Sequence, residues 1–283
     1  MKRIAALILI LSTALFGGTT SVFAEDNREP EHHSLSVHIF YPLSTTKSAE
    51  DSSMFNYSMF YGRMGEVNGI DFGHGFSLIT GDMKGVQALG LASYVGGEMQ
   101  GVNGTGVASA VAGDMWGVQS SGVANWTGGT LNGLQAAGVV NVANQVNGVQ
   151  ASGVLNLAGE VNGVQMGLVN LSDRMNGMPL GLINLSKNGG VQLSGWYSSL
   201  TEANTGLRFR AGNFYTLFGF GLDASDYGSV SKIEDTTETI SNSLSFGATI
   251  PAGLLSFNVD AGVVSIDEQG GSERNGEQDR RGR

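Results

Sequence analysis

Apolar and polar positions recur with a short period through the middle of the chain. Each unit opens with a glycine, followed by an aliphatic or Met residue and then an amide, with a second glycine a few positions on. Self-similarity at a short, nearly fixed period predicts a repeat architecture. Successive units are 16 residues long at first and 13 to 15 residues long later. The leading glycines are Gly69, Gly85, Gly101, Gly117, Gly133, Gly148, Gly163, Gly177 and Gly190.

The way in which the units change length predicts how each one folds. Short β-branched runs bounded by Gly and Asn are typical of strands. Residues are lost at only two places: in a turn that carries most of the charge of the repeats, and between the amide and the second glycine. A deletion inside a strand would exchange its two faces, whereas a corner tolerates it. Two tolerant places indicate two corners, and therefore two short strands per unit.

The favoured fold is consequently all-β, with a two-sheet β-solenoid over residues 69–195. In this interpretation the Val, Leu and Met columns are buried between coils, and Val149→Asp should unfold neighbouring units. The alternative keeps one long strand per unit, paired antiparallel with its neighbours, as in one continuous outer-membrane-type β-barrel.

Alternating apolar and polar residues flank the repeats on both sides. Residues 35–68 and 196–266 show period-2 patterns with one apolar face, which predict antiparallel strands. Residues 25–34 and 267–283 are polar and charged, and we expect them to be a disordered lead and a disordered tail.

The N-terminal residues are typical of an export signal. Lys2 and Arg3 precede an apolar run over residues 4–16, and Val22 and Ala24 place small residues before a cleavage site. We therefore expect residues 1–24 to be a signal peptide. The mature protein should be exported to the outer membrane or cell surface, with the periplasm as the alternative.

Composition excludes several classes of function. The formal net charge is −10, which argues against a nucleic-acid partner, and the chain has no cysteine for a thiolate metal site or a nucleophile. Neither an HExxH nor a GxSxG motif occurs, and the repeat glycines lack the βαβ context of a dinucleotide site. We therefore expect no enzymatic activity and no cofactor.

One acidic slot suggests a metal. Asp82, Glu98 and Asp114 occupy the same turn position in consecutive units. Stacking would bring these carboxylates about 4.8 Å apart, and oxygen ligands of this kind suit Ca²⁺. Solvated turn charges are the simpler interpretation.

Other polar and aromatic residues have structural and functional interpretations. Stacked amides hydrogen-bond along a β-stack, but on a solvent-facing sheet they would contact glycan hydroxyls. Trp116 and Trp126 pack against neighbours or stack on sugar rings. His32, His33 and His38 are close enough in sequence to suggest a metal site, but the sequence favours ordinary polar roles for them. His74 lies far from these three histidines in the sequence.

The units from Gly163 to Asn170 and from Gly177 to Asn184 resemble a bacterial envelope family whose tandem surface repeats read GLQIGLVN. The lead-in segments Leu35–Leu43 and Phe55–Phe72 and the segment 203–222 are also similar to that family. The resemblance implies an outer-surface or outer-membrane protein with a barrel-like C-terminal part and without established catalysis. Pro179 in an amide position and the terminal Arg283 depart from the pattern.

Together these observations predict a non-enzymatic envelope protein with a structural, display or adhesion role. The alternative function is an outer-membrane β-barrel that conducts or transports solutes. A glycan-binding or glycan-cleaving solenoid is less favoured, because the carboxylates are spread one per turn. A glycan or a host or neighbouring cell surface is the partner class to consider.

Overall fold

The computed structural model describes residues 29–40, 43–45, 50–198, 201, 203–222, 238–252 and 255–269. The predicted signal peptide, residues 25–28 of the predicted lead and residues 270–283 of the predicted tail lie outside these ranges. Every regular element within them is a β-strand. The chain divides after Leu182 into two units, described separately here.

The first unit is a β-solenoid of about nine turns, in which parallel strands of successive turns pair in register. Each repeat contributes two short strands to two facing sheets, as the two tolerant places in the sequence predict. The strands that contain a leading glycine or directly follow one form a sheet that we call sheet A. They are β4 (Glu66–Gly73), β6 (Met83–Leu89), β8 (Met99–Thr105), β10 (Met115–Ser121), β13 (Val149–Ser152), β15 (Val164–Met166) and β17 (Met178–Leu180).

The second strand of each repeat belongs to the opposite sheet, which we call sheet B. Its members are β5 (Phe76–Ile79), β7 (Ala92–Val95), β9 (Ala108–Val111), β12 (Val140–Val146), β14 (Leu155–Val161) and β16 (Val169–Met175). The long strands β3 (Ser52–Met64) and β11 (Ala124–Ala137) turn a corner and pair in both sheets. The in-register parallel pairing excludes one long antiparallel strand per repeat.

The N-terminal flank corrects one prediction. β1 (His32–Phe40) pairs in parallel with β3, and β3 pairs in parallel with β4, so these strands add turns to the solenoid. Only β2 (Leu43–Ser44) pairs antiparallel, with β1. β1 also begins inside the segment that we expected to be a disordered lead. A period-2 pattern defines the two faces of a strand but not the direction of its neighbour, so parallel and antiparallel pairing share the same signal.

The leading glycines are required where the turns approach closely. The backbone of Gly85 has a φ of +125°, which side chains rarely adopt, and a Cβ there would overlap the carbonyl oxygen of Gly69 in the turn below. The same overlap would occur at each leading glycine from Gly101 to Gly177. Gly190 is different: it lies in an antiparallel strand and a Cβ would meet nothing. The last predicted repeat unit is therefore not a turn of the solenoid.

The second unit contains β18 (Ile183–Ser186) and a five-stranded antiparallel sheet. The alternation of apolar and polar residues predicted antiparallel strands here, and the register confirms them. The sheet begins at Gly190, six residues earlier than predicted, and β23 extends into the predicted tail. Its strands are β19 (Gly190–Trp196), β20 (Ala203–Ala211), β21 (Phe214–Leu222), β22 (Glu238–Ala252) and β23 (Leu255–Gln269).

Candidate functional surfaces

The interior of the solenoid is half apolar. Its apolar half lies beside the charged turns, where Met, Leu, Ile and Val side chains point inward and are fully buried. Burying such a side chain contributes roughly 1.5–3 kcal/mol, so this column offsets the cost of ordering glycine-rich strands. Its members include Ile79, Met83, Val95, Met99, Val111, Met115, Leu131, Val146 and Val161.

The other half of the interior is a set of stacked amides. Gln135 Nε2 donates to Gln119 Oε1 at 2.8 Å, Gln150 Nε2 donates to Gln135 Oε1 at 2.9 Å, and Gln165 Nε2 donates to Gln150 Oε1 at 2.8 Å. All four side chains are fully buried. The amide columns therefore face inward and hydrogen-bond along the stack. They are not available for the glycan contact that a solvent-facing column would make.

A second amide ladder, on sheet B, runs in the opposite direction. Asn125 Nδ2 donates to Asn141 Oδ1 at 3.0 Å, Asn141 donates to Asn156 at 3.1 Å, and Asn156 donates to Asn170 at 2.9 Å. Each Gln of the first ladder donates toward the N-terminal end of the stack, whereas each Asn donates toward the C-terminal end. The amide dipoles of the two ladders therefore oppose each other inside a medium of low dielectric constant.

Asp71 is the residue of the inward column to which both of its column neighbours donate, and sequence reasoning missed it. Its carboxylate accepts from Gln87 Nε2 at 2.7 Å and from Asn56 Nδ2 at 2.8 Å, so both neighbouring turns donate to it. Burial raises the pKa of Asp71 above its usual value, and the hydrogen bonds from Gln87, Ser77 and Asn56 oppose that rise. The available signal was its position, two residues after Gly69, where later units carry Gln or Asn.

The aliphatic column after each leading glycine points outward, which corrects our expectation. Val86 and Val102 are each 45% exposed, and Val149 has the same outward register. A second exposed column follows the second glycine at the corner: Leu91, Val107, Val123, Val139, Val154 and Leu168. Each strand of sheet A has an aliphatic column on one face and an amide column on the other, and both columns repeat regularly from turn to turn. The amide column occupies the inner face, because only inward amides pair with one another out of water.

The predicted calcium row is not a cluster of free carboxylates. Asp82 Oδ1 accepts from the backbone N–H of Glu98 at 2.8 Å, and Asp114 Oδ1 accepts from the backbone N–H of Thr130 at 2.6 Å. These two carboxylates thus bind the turn stacked above each of them. In the described residues, no group of three or more His, Asp or Glu side chains is placed to hold a metal.

The histidines are held by separate partners. His32 Nδ1 lies 2.8 Å from Ser52 Oγ, and His33 Nε2 lies 3.2 Å from Asp51 Oδ2. His38 is fully buried with Nε2 3.3 Å from Met64 Sδ, and burial lowers its pKa to about 4. His74 is exposed and contacts Tyr57 Oη. The structure therefore does not bring His32, His33 and His38 together as a ligand set.

Trp116 and Trp126 differ in exposure. Trp116 stands on the outer face of sheet A and is 51% exposed, whereas Trp126 lies half-buried on sheet B. Stacked outward aromatics occur instead in the first turns: the rings of Tyr57 and Phe72 are 5.0 Å apart, and those of Tyr61 and Phe76 are 5.8 Å apart.

The antiparallel sheet of the second unit has one apolar and one polar face. On the apolar face, Leu193 is 78% exposed and Val263 is 76% exposed. Arg208, Arg210 and Asp260 have the opposite register and lie on the polar face. The apolar face carries no Asp, Glu, Lys or Arg between residues 242 and 250 or between residues 257 and 265.

Comparisons with known proteins found no match to a protein family, to a curated protein or to a solved structure. The described part of the chain also has no helix of the length and apolar character needed to cross a membrane.

Proposed function

We propose that this chain is an exported, non-enzymatic protein of the bacterial cell envelope that displays its solenoid at the outer membrane or cell surface. The observation that carries the proposal is the segregation of side chains in the C-terminal sheet. Over residues 242–250 of β22 and 257–265 of β23, one face carries no charged side chain, and Arg208, Arg210 and Asp260 lie on the opposite face. Large exposed apolar surfaces of this kind mark sites of interaction with partners or membranes.

The dimensions of the apolar face fit acyl chains. Its apolar positions run from Leu244 to Ile250 on β22 and from Phe257 to Val263 on β23. Six steps along a strand span about 20 Å, which is comparable to the band of about 25 Å that membrane-facing β-strands present to lipid. In this proposal the C-terminal sheet holds the protein at the membrane.

The solenoid supplies the displayed surface. Its interior is held together by its own amide ladders and by the apolar corner column, so its core does not depend on a partner. Its outer face repeats the same aliphatic positions at a spacing of roughly 4.8 Å. A uniform surface of this kind suits a structural or adhesive role.

Membrane association is tested by carbonate extraction of the full chain expressed in a bacterium with an outer membrane. We expect the native chain to sediment with membranes and Leu193→Glu to shift it to the soluble fraction. Gln192→Glu is the matched control, because it adds the same charge at the adjacent position on the opposite face. Release of the native chain by carbonate, or equal behaviour of both variants, would contradict the membrane role.

Display is tested by labelling, since the chain has no cysteine of its own. A single Lys84→Cys variant places a thiol on the outer face of sheet A, where Lys84 is exposed. We expect a membrane-impermeant maleimide to label it on intact cells. Labelling only after the outer membrane is permeabilised would place the solenoid in the periplasm and refute display.

A further inference from the structure

The polar face of the C-terminal sheet holds a group of buried hydrogen-bond donors that lack acceptors. Arg210 lies directly opposite Tyr215 across β20 and β21, and the guanidinium of Arg208 lies 4.3 Å from the centre of the Tyr215 ring. Arg208 Nε, Arg210 Nε and Tyr215 Oη are buried and have no hydrogen-bond partner among the described residues. Buried donors are normally satisfied, so three on one small surface require an explanation.

The position of Tyr215 is fixed by the sheet. Its side chain is 2% exposed and extends over Gly247 on β22, where a Cβ would collide with the phenol ring and its oxygen. Asp260 lies opposite Gly247 on β23, so the Tyr215 hydroxyl is directed along a row that ends at a carboxylate. The glycine thus allows the ring to lie flat and hold its hydroxyl beside the two arginines.

The electrostatic balance of this group is positive. Among the described residues, the charged side chains around the Tyr215 hydroxyl are Arg208, Arg210 and Asp260, which give a net charge of +1. Burial, with the nearby Asp260 carboxylate, raises the pKa of Tyr215, so the hydroxyl stays protonated and acts as a donor at neutral pH. The arrangement offers several donors and a surplus positive charge, and Asp260 is the one carboxylate that opposes it among the described residues.

We propose that Arg208, Arg210 and Tyr215 form a binding site for an oxyanion of the phosphate class on the polar face of the C-terminal sheet. A tetrahedral oxyanion accepts several hydrogen bonds at once, and guanidinium groups are the side chains best suited to it. The same chemistry is presented by free phosphate and by the phosphate of a lipid headgroup. This site does not depend on the proposed display function, because it lies on the face opposite the apolar one.

Calorimetric titration of the purified full chain with inorganic phosphate at constant ionic strength tests the site. We expect saturable binding that is at least tenfold weaker in Arg210→Gln and severalfold weaker in Tyr215→Phe, which keeps the ring. Asp260→Asn should tighten binding severalfold, because it removes the opposing charge that lies near Tyr215 among the described residues. Lys84→Gln, which removes a positive charge from the solenoid, should leave binding unchanged.

A parallel titration with short-chain phosphatidylglycerol identifies the source of the anion. Stronger binding of the lipid with the same dependence on Arg210 supports a headgroup site, whereas stronger binding of inorganic phosphate supports a soluble anion. The absence of saturable binding of either probe to the native chain would overturn the proposal. Binding that is unchanged in Arg210→Gln, Arg208→Gln and Tyr215→Phe would also overturn it, and circular dichroism of each variant verifies that the sheet is folded.

Discussion

In the solenoid, the side chains of Gln119 and Gln135 are completely buried, while Val86 and Val102 on the outside are each 45% exposed. In the C-terminal sheet, apolar and polar residues also alternate. On the polar face Arg208 Nε, Arg210 Nε and Tyr215 Oη have no hydrogen-bond partner among the described residues, and on the apolar face Leu193 and Val263 are 78% and 76% exposed. Both regions therefore have the same period-2 pattern and use it differently. The comparison shows that buried amides form a core only when the next turn places an amide at the same position, in register with the first.

The largest expected effect comes from a charge in the apolar corner column. Val146→Asp places a carboxylate where the native side chain is fully buried, and we expect a loss of about 4 kcal/mol or more in the free energy of unfolding. Urea denaturation followed by circular dichroism measures it. Val149→Asp, three residues later but facing outward, should cost less than about 1 kcal/mol. Equal losses in the two variants would show that the assignment of inside and outside is wrong.

The amide ladder should be nearly as sensitive. Gln135→Leu keeps the approximate size of the side chain but leaves Gln119 Oε1 and Gln150 Nε2 without a ladder partner. We expect a loss of about 1–3 kcal/mol, since two buried hydrogen bonds are lost. Gln119 Oε1 keeps its bond from Thr127 Oγ1 and Gln150 Nε2 keeps its bond to the Leu157 carbonyl. The control is Gln100→Leu, at an exposed position of β8, which should change stability by less than about 0.5 kcal/mol. A tolerated Gln135→Leu would mean that the amides only fill space.

Acid should weaken the first turns of the solenoid. The pKa of His38 falls from 6.5 to about 4 on folding because its ring is buried. A base whose pKa is depressed by folding stabilises the native state above the unfolded pKa. That stabilisation is lost as the pH falls from 6.5 toward 4.

Stability measured against pH should therefore decline over this interval in the native chain. His38→Gln should flatten the decline, whereas His74→Gln, which alters an exposed ring, should retain it. A decline that persists unchanged in His38→Gln would assign it to another group.

The smallest expected effect is a gain. Gln165 Oε1 is buried and has no partner, because the next turn carries Pro179 in the amide position. Pro179→Gln should extend the ladder by one residue and restore a backbone N–H in β17. We expect stabilisation by about 1 kcal/mol, measured by urea denaturation. Destabilisation would indicate that the fixed φ of proline is needed to end the ladder.

Much of the solenoid was predictable because its chemistry is local. The two positions of length change located both corners, and the charged slot was correctly interpreted as a turn. The same reasoning placed Val149 inside, because hydrophobic residues usually form the core. It also predicted antiparallel pairing for residues 55–61, which pair in parallel and turn their apolar face outward. The local sequence does not show which face of a strand is buried or whether its neighbour runs parallel, since all these arrangements give the same alternation.

The candidate sites show the same limit. The sequence correctly assigned Asp82 and Asp114 to the same turn position. Only the stacked turns reveal that each carboxylate accepts a hydrogen bond from a backbone N–H of the next turn. Arg208, Arg210 and Tyr215 lie within eight residues of one another, yet they become a group only through the antiparallel register of β20 and β21 and the glycine on β22.

The sequence by itself determined the repeat, its two corners, its strand content and the exposure of its charged turns, because these follow from backbone propensity and from what a turn or a strand tolerates. The coiled chain alone shows which column lies inside, which direction each amide ladder takes and why both column neighbours of Asp71 donate to it. A buried amide is favourable only when its neighbour is in register about 4.8 Å away, and that neighbour exists only after the chain has coiled back on itself.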